Sequence, residues 1–420
     1  MHHYLVIGLG KTGFSVACFL SKQGLDFSVV DNRDNPPCLK EFQTIFPDKT
    51  VKTGAWDIAL FQKADSIIVS PGLDPAALPI PPGKALFGDI ELFARFAKAP
   101  VVAITGTNGK STVTTLLGLM LEKAGFRVGV GGNLGTPALD LLTMPEPDIY
   151  VLELSSYQLG TTASLHPRVA VVLNFSPDHQ DRYHDVDDYL RDKQKIYNHC
   201  EHAVINGREP FIWESLSLKN PIDFQQTLLP VTEQEMGIVG SHNVENAKAA
   251  TAMARCLRVD DTVIAKTLKT FTGLSHRCQW VADKQGIKWF NDSKGTNVGA
   301  TLAAIHGLVP AVVAPGTLIL IAGGVSKGQD FSPLVSIIHQ YVKHVILIGE
   351  AAPMIAALLP PERYAHAFSM ENAVNLAREL ARSGDCVLLS PACASFDQFR
   401  DYQHRGDVFM HCVRQERMLQ

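Results

Sequence analysis

A short apolar run, Val101 to Ile104, leads into Gly106-Thr-Asn-Gly109, and Lys110, Ser111 and Thr112 then open a stretch with helical character. Strand, glycine-rich turn and helix in that order build a parallel α/β sheet with a phosphate seat at a strand's carboxyl end. Exposed backbone N–H groups and the positive helix end meet the anion, the lysine neutralises charge, and the hydroxyl faces Mg²⁺. The usual phosphate-loop pattern would place a glycine at position 104, where this chain has Ile104, so the turn is tighter than the common form. The candidate ATP seat is Gly106, Thr107, Asn108, Gly109, Lys110, Ser111 and Thr112.

The chain has 420 residues, which at about 150 per domain predicts three domains. A net charge of −4 argues against nucleic acid as the main partner. Eight scattered cysteines, with no C-x-x-C pair, suggest free thiols rather than zinc or a disulfide framework. No apolar run approaches the ~20 residues of a membrane span, and with Met-His-His-Tyr running into the first strand no signal peptide is expected. The expectation is a cytoplasmic protein.

The chain opens as βαβ. Tyr4–Gly8 reads as a strand, Gly8-Leu-Gly10-Lys-Thr-Gly13 as a diphosphate-sized turn, and Phe27–Val30 as a strand ending on Asp31. The turn suits a dinucleotide, a UDP-sugar, or no ligand. A Pro-rich connector, Leu78–Gly83, separates this region from the next. In the middle region Glu153 and His179 each follow a predicted strand, as the phosphate loop does, so the three strand ends converge. Glu153 is either a Mg²⁺ ligand or a solvated carboxylate, and His179 either a nitrogen ligand or a structural histidine. In the helix predicted over 187–197, Tyr189, Lys193, Ile196 and Tyr197 share a face and Lys195 points away. Lys193 therefore lies on an apolar stripe. Either its stem snorkels, or its amine is buried, neutral and able to form a carbamate with CO₂. From about Gly273 a third α/β region places Asp292, Lys294, Lys327 and Ser390–Asp397 at strand ends, with His276-Arg277 at the boundary.

Together, Gly106-Thr-Asn-Gly-Lys-Ser111, Glu153-Leu-Ser-Ser-Tyr-Gln158, Asp178-His179, Gly240-Ser-His-Asn-Val-Glu-Asn246, His276-Arg277 and Asp292-Ser-Lys-Gly-Thr-Asn297 resemble the ATP-dependent Mur ligases of peptidoglycan synthesis, over the whole chain and in order. Ser390-Pro-Ala-Cys-Ala-Ser-Phe-Asp-Gln-Phe399 and Gly8-Leu-Gly-Lys-Thr-Gly13 look most like the branch that adds D-glutamate to UDP-N-acetylmuramoyl-L-alanine. The resemblance implies three units: a Rossmann-like UDP-binding domain at 1–90, a central P-loop ATPase-like parallel-sheet domain at 91–273, and a Rossmann-like amino-acid-binding domain at 274–420. It implies uridine-nucleotide contacts from Leu9, Thr12, Asp31, Asn32 and Gly72, and muramoyl contacts from Asn133 and His179. ATP would also meet Asn243, Asn246, Arg277, Asp292 and Lys294, and D-glutamate would meet Thr296, Lys327, Ser395 and Tyr402. The metal set would be Ser111, Glu153, His179 and Lys193, with two Mg²⁺ and Lys193 carbamylated; Lys110, His179, Lys193 and Arg277 would be catalytic. Gly295 stands where this family commonly has Ala, and Tyr402 where Phe is familiar. Other readings are a Mur-type ligase with another amino acid, a nicotinamide oxidoreductase using the first glycine turn, and a non-catalytic nucleotide module.

Overall fold

The computed structural model describes residues 2–178, 182–183, 185–238, 240–309, 312 and 316–415. Among these residues, seventeen strands form three sheets. The first holds β1 (His3–Ile7), β2 (Asp26–Val30), β3 (Val51–Lys52), β4 (Ser66–Val69) and β5 (Ala85–Phe87), all parallel, in the order β3-β2-β1-β4-β5. The second holds β6 (Val101–Thr105), β7 (Val128–Gly132), β8 (Ile149–Glu153), β9 (Pro167–Val172), β10 (His202–Ile205) and β11 (Ile222–Asp223), again all parallel, in the order β11-β10-β9-β6-β8-β7. The third holds β12 (Gln279–Lys284), β13 (Ile287–Asn291), β14 (Leu318–Gly323), β15 (Val342–Ile348), β16 (Tyr364–His366) and β17 (Cys386–Leu389), in the order β12-β13-β17-β14-β15-β16. The parallel strands are near-continuous apolar runs because helices cover both sheet faces; β6 is buried at every position.

The third sheet departs from an all-parallel reading at its edge. β12 runs antiparallel to β13 through a hairpin at Gln285-Gly286, both with positive φ (56° and 74°). Such backbone favours the turns whose twist matches paired strands, and glycine takes the second position without strain. The helix expected over 187–197 is Val186–Gln194 followed by a tighter turn, Lys195–Tyr197. The tightening keeps Tyr189, Lys193, Ile196 and Tyr197 buried, while Lys195 reaches out to Asp192 at 2.8 Å.

The first two units share one core cluster, and each has a further cluster of its own. A single apolar cluster runs from Val6, Phe19 and Phe27 of the first to Leu152, Leu159 and Val172 of the second. The helix Asp89–Phe96 joins them, inserting Ile90, Leu92 and Phe93. Phe93 meets Tyr150 edge-on at 5.1 Å, and truncating such a ring to alanine costs about 3–5 kcal/mol. On the same helix Glu91 accepts from the Ala163 and Ser164 amides, both at 2.8 Å, and from the Ser164 hydroxyl. The third unit has its own two clusters, one on each face of its sheet.

Candidate active site

The phosphate loop follows β6 at the point where the strand order reverses, which is where open parallel sheets bind ligands. Gly106 and Gly109 have positive φ (150° and 81°), and a Cβ on Gly109 would collide with the Asn246 side chain. Gly109 also opens the helix Lys110–Lys123 without a side-chain cap, leaving the first N–H groups free for an anion. Lys110 Nζ folds back onto the Gly106 and Thr107 carbonyls, each at 2.9 Å. Thr107 Oγ1 donates to Ser176 O (3.1 Å) and accepts from Ser176 N (3.0 Å), and the Asn108 amide donates to Asn174 Oδ1 (2.8 Å). Ser111 and Thr112 are buried behind this rim.

Glu153 ends β8, beside the loop, and is only 3 % exposed. Burial pushes its carboxyl up, but Lys110, then Ser111 and Arg277, hold it below the usual range. Asn133 Nδ2 donates to Oε1 at 2.6 Å, while Oε2 is buried without a partner among the described residues. A buried, unpaired carboxylate oxygen beside a loop hydroxyl is a hard-oxygen donor set that fits Mg²⁺. The described residues contain no group of three or more His, Cys, Asp or Glu able to hold a metal, so phosphate and water oxygens would complete the shell.

Lys193 is 2 % exposed. Its Nζ donates to Gly106 O at 2.9 Å and lies 4.5 Å from the centroid of the Tyr189 ring. Burial, then repulsion from Lys110, pushes its pKa well below the ordinary lysine value. The stem is thus not snorkelling outward; the amine faces the loop. His179 lies outside the described residues. Asp178, just before it, accepts from Asn297 Nδ2 at 3.1 Å and faces Lys327 Nζ at 3.4 Å, linking the second unit to the third.

Arg277 crosses the same boundary: its Nη2 donates to Ser111 Oγ at 2.7 Å. Asp292, after β13, is pushed up to about 7 by burial; Ser390 Oγ donates to it at 2.8 Å and the Cys278 amide at 3.1 Å. Lys294 is pushed down to about 8 by burial and then by Arg277. Asn243 and Asn246, one turn apart on the helix Ser241–Cys256, are buried and bonded to each other at 3.3 Å. These asparagines, Asn108, Thr112, Arg277, Asp292 and Lys294 line one cleft of about 330 Å³ between the second and third sheets. Lys327 (φ 53°) follows β14, buried Ser395 follows β17, half-buried Thr296 lies beyond β13, and Tyr402 begins the last helix.

One residue missed in the sequence is Arg405. It is fully buried and donates to Ser293 Oγ (3.0 Å), Ser293 O (2.8 Å), Cys393 O (3.1 Å) and Ala394 O (3.2 Å). It binds the segment after β13 to the segment after β17. The available signal was its spacing with Phe409, Cys412 and Val413 on the inner face of the helix Tyr402–Arg414.

At the carboxyl edge of the first sheet lie buried Leu9 and Asp31, half-buried Thr12, and exposed Asn32 and Gly72. Asp31 accepts from the Leu9 amide (2.7 Å), the Arg33 amide (2.9 Å), and Arg33 Nε (2.9 Å) and Nη2 (2.6 Å). All four of its acceptor positions are used within the protein, which argues against the free ribose acceptor of a nicotinamide-dinucleotide site. This rim is tied to the second unit by Arg182, which lies over the Tyr157 ring (4.3 Å) and donates to Pro71 O at 2.9 Å, and by Lys11 to Gly135 O at 2.6 Å.

A phosphate loop in the central unit, with cations from a third unit reaching across to it, defines an ATP-using ligase assembled from three sheets. Residues 2–83 match the family model described as Mur ligase MurD-like, N-terminal domain, residues 104–254 the Mur ligase middle domain, and residues 276–393 the Mur ligase, glutamate ligase domain; the chain belongs to the Mur ligase family. Among its relatives, the UDP-N-acetylmuramoylalanine--D-glutamate ligase of Coxiella burnetii is 46 % identical, over 97 % of this chain and 98 % of the relative. Those of Nitrosococcus oceani (45 %; 98 % and 96 %) and Legionella pneumophila (44 %; 99 % and 100 %) are similarly related. MurF ligase from Thermotoga maritima in complex with ADP shares the fold, with a TM-score of 0.62 at 15 % identity, covering 92 % of this chain and 94 % of that one. UDP-N-acetylmuramate-alanine ligase from the same organism gives 0.58 at 15 % identity, covering 98 % and 99 %. Among the described residues, no helix is long and apolar enough to cross a membrane.

Proposed function

We propose that this chain joins D-glutamate to UDP-N-acetylmuramoyl-L-alanine, forming ADP and phosphate, in the cytoplasmic assembly of the peptidoglycan precursor. One observation carries the reading beyond the full-length likeness to D-glutamate ligases: Arg277 and Lys294 of the third unit share one cleft with the phosphate loop. The units are taken to run 1–90, 91–273 and 274–420.

In the reaction, an oxygen of the L-alanyl carboxylate attacks the γ-phosphorus of ATP, the bond to the β,γ-bridging oxygen breaks, and ADP leaves as the acyl phosphate forms. The neutral amine of D-glutamate then attacks the acyl carbon, phosphate leaves, and the amine proton passes to a base, for which His179 is the candidate. Phosphoryl transfer of this kind depends chiefly on positioning and charge. Lys110 unfolds from the loop carbonyls onto the phosphates, and Arg277 leaves Ser111 for the terminal phosphate. Asn243 and Asn246 border the nucleotide with Lys294 and Asp292. Ser111 and Glu153, with His179, would hold Mg²⁺, which neutralises phosphate charge when bound. Lys193 is placed to react as a neutral amine with CO₂, and its carbamate would contribute a carboxylate beside the loop. Leu9, Thr12, Asp31, Asn32 and Gly72 form the uridine-nucleotide seat, Asp31 also shaping it through Leu9, and Asn133 and His179 face the muramoyl end. Thr296, Lys327, Ser395 and the Tyr402 backbone border the amino acid, with Lys327 neutralising a carboxylate.

The test is phosphate release by the purified protein with Mg-ATP and UDP-N-acetylmuramoyl-L-alanine, offering D-Glu, L-Glu, L-Ala, L-Lys and meso-diaminopimelate separately. Release that depends on D-Glu alone is expected; release with another amino acid, or with none, overturns the substrate assignment.

A further inference from the structure

Lys294 and Tyr402 come from opposite ends of the third unit, one just past β13 and the other at the start of the final helix. Lys294 Nζ lies 3.9 Å from the centroid of the Tyr402 ring. Lys294 is half-buried, and among the described residues no oxygen accepts a hydrogen bond from its ammonium. The charged groups around it are Arg277, Lys110 and Lys327, which repel it, and Glu153, which attracts it. A half-buried cation among three other cations is favoured by a source of negative potential, and the face of an aromatic ring supplies one.

The ring is held by the segment that carries the lysine. Ser293 Oγ donates to Tyr402 O at 2.8 Å, and the same oxygen accepts from Arg405 Nε at 3.0 Å. Asp401 caps the helix by accepting from the His404 amide at 2.7 Å. His276 lies edge-on to the ring, 6.1 Å between centroids at 82°. The backbone that carries the ring is therefore tied to the segment that carries the lysine.

We propose that Tyr402 is a positioning residue whose ring face holds the Lys294 ammonium toward the phosphate cleft. Its backbone borders the amino-acid seat, so one residue spans the seats of the two substrates. That second part rests on the ligase reading; the first rests on the ring, the ammonium and the cleft alone. The hydroxyl is not required, so Phe at this position serves equally.

The experiment is calorimetric binding of Mg-ATP to the full chain carrying Tyr402→Phe, Tyr402→Leu, and mono-, di- and trifluorinated phenylalanine at position 402. Fluorine drains the ring face at nearly constant shape, so a purely packing role leaves affinity unchanged along the series. The expected result is Tyr402→Phe within about twofold of the native protein, a stepwise loss with each fluorine to about five- to tenfold, and Tyr402→Leu at least as weak as the trifluorinated protein. A flat series, or Tyr402→Phe as weak as Tyr402→Leu, overturns the proposal. D-Glu-dependent phosphate release by the native protein is measured alongside. Its absence with intact Mg-ATP binding overturns the ligase reading while the fluorine series still decides this one.

Discussion

Arg277 and Ser111 belong to different units, and the guanidinium donates to the hydroxyl at 2.7 Å. A phosphate loop commonly turns that hydroxyl toward a metal, which is the reason for the proposal that Arg277 meets the terminal phosphate. Arg277→Ala is expected to lower phosphate release by about 10²–10³-fold at saturating substrates. Arg277→Lys should recover only part of this, because an ammonium lacks the planar fork. Retention of native turnover by the alanine variant would remove Arg277 from the reaction.

Lys193→Ala should abolish turnover while leaving the thermal midpoint within a few degrees of native. If the amine acts as a carbamate, acetate or formate added to the variant restores measurable phosphate release, and depleting CO₂ slows the native protein. No rescue by either carboxylate would leave the free amine as the working group.

Gly109 has φ 81°, and a Cβ there would collide with Asn246. Gly109→Ala should weaken Mg-ATP binding more than about tenfold, since the strained backbone and the displaced asparagine both belong to the proposed nucleotide seat. Calorimetry on the folded variant checks this.

Asp89 and Glu91 sit two residues apart at the joint of the first two units, yet their carboxyls shift in opposite directions. Glu91 is also buried, but donors from Ser164, Ala163 and Arg95 outweigh that and lower it from 4.5 to about 2. Asp89 has one side-chain donor, Gln158 at 2.9 Å, and burial raises it from 3.8 to about 6. The lowered Glu91 contributes stability that is complete above pH 4.5 and is lost as pH falls toward 2. The raised Asp89 acts oppositely, favouring the fold most below pH 3.8 and least above 6. Asp89→Asn should therefore match the native protein near pH 4 and exceed it near pH 7 by about 2 kcal/mol. Denaturant midpoints at both values measure it; equal midpoints at neutral pH would contradict it.

What the sequence made legible was local. Gly106 to Ser111, the strand ending on Glu153 and the inward face carrying Lys193 each announce themselves within a few residues, because strand period, glycine turns and helix period are short-range signals. Partners distant in the chain gave no such sign. Arg405 reads as one more charged helix residue until Ser293 and Cys393 are seen around it. Asp178 belongs to a recognisable pair with His179, but its bonds to Asn297 and Lys327 exist only once the third sheet packs against the second. The antiparallel edge β12 was hidden because Gln285-Gly286 is a weak hairpin signal, and the bonds by which Asp31 braces its own turn through Leu9 and Arg33 are equally silent in the sequence.

The core shared by the first two units has a thermodynamic consequence. Side chains from two sheets that exclude water in one cluster lose that shelter together, so those units should melt as a single cooperative body. The third, with clusters of its own, melts separately. Energetically the molecule is two bodies with a nucleotide cleft at their seam. A ligand lodged there must fix their mutual orientation, and the entropy of that docking is subtracted from its affinity. A second ligand arriving at the same seam meets bodies already aligned and binds more tightly. Cooperation between the substrates would then arise without their touching.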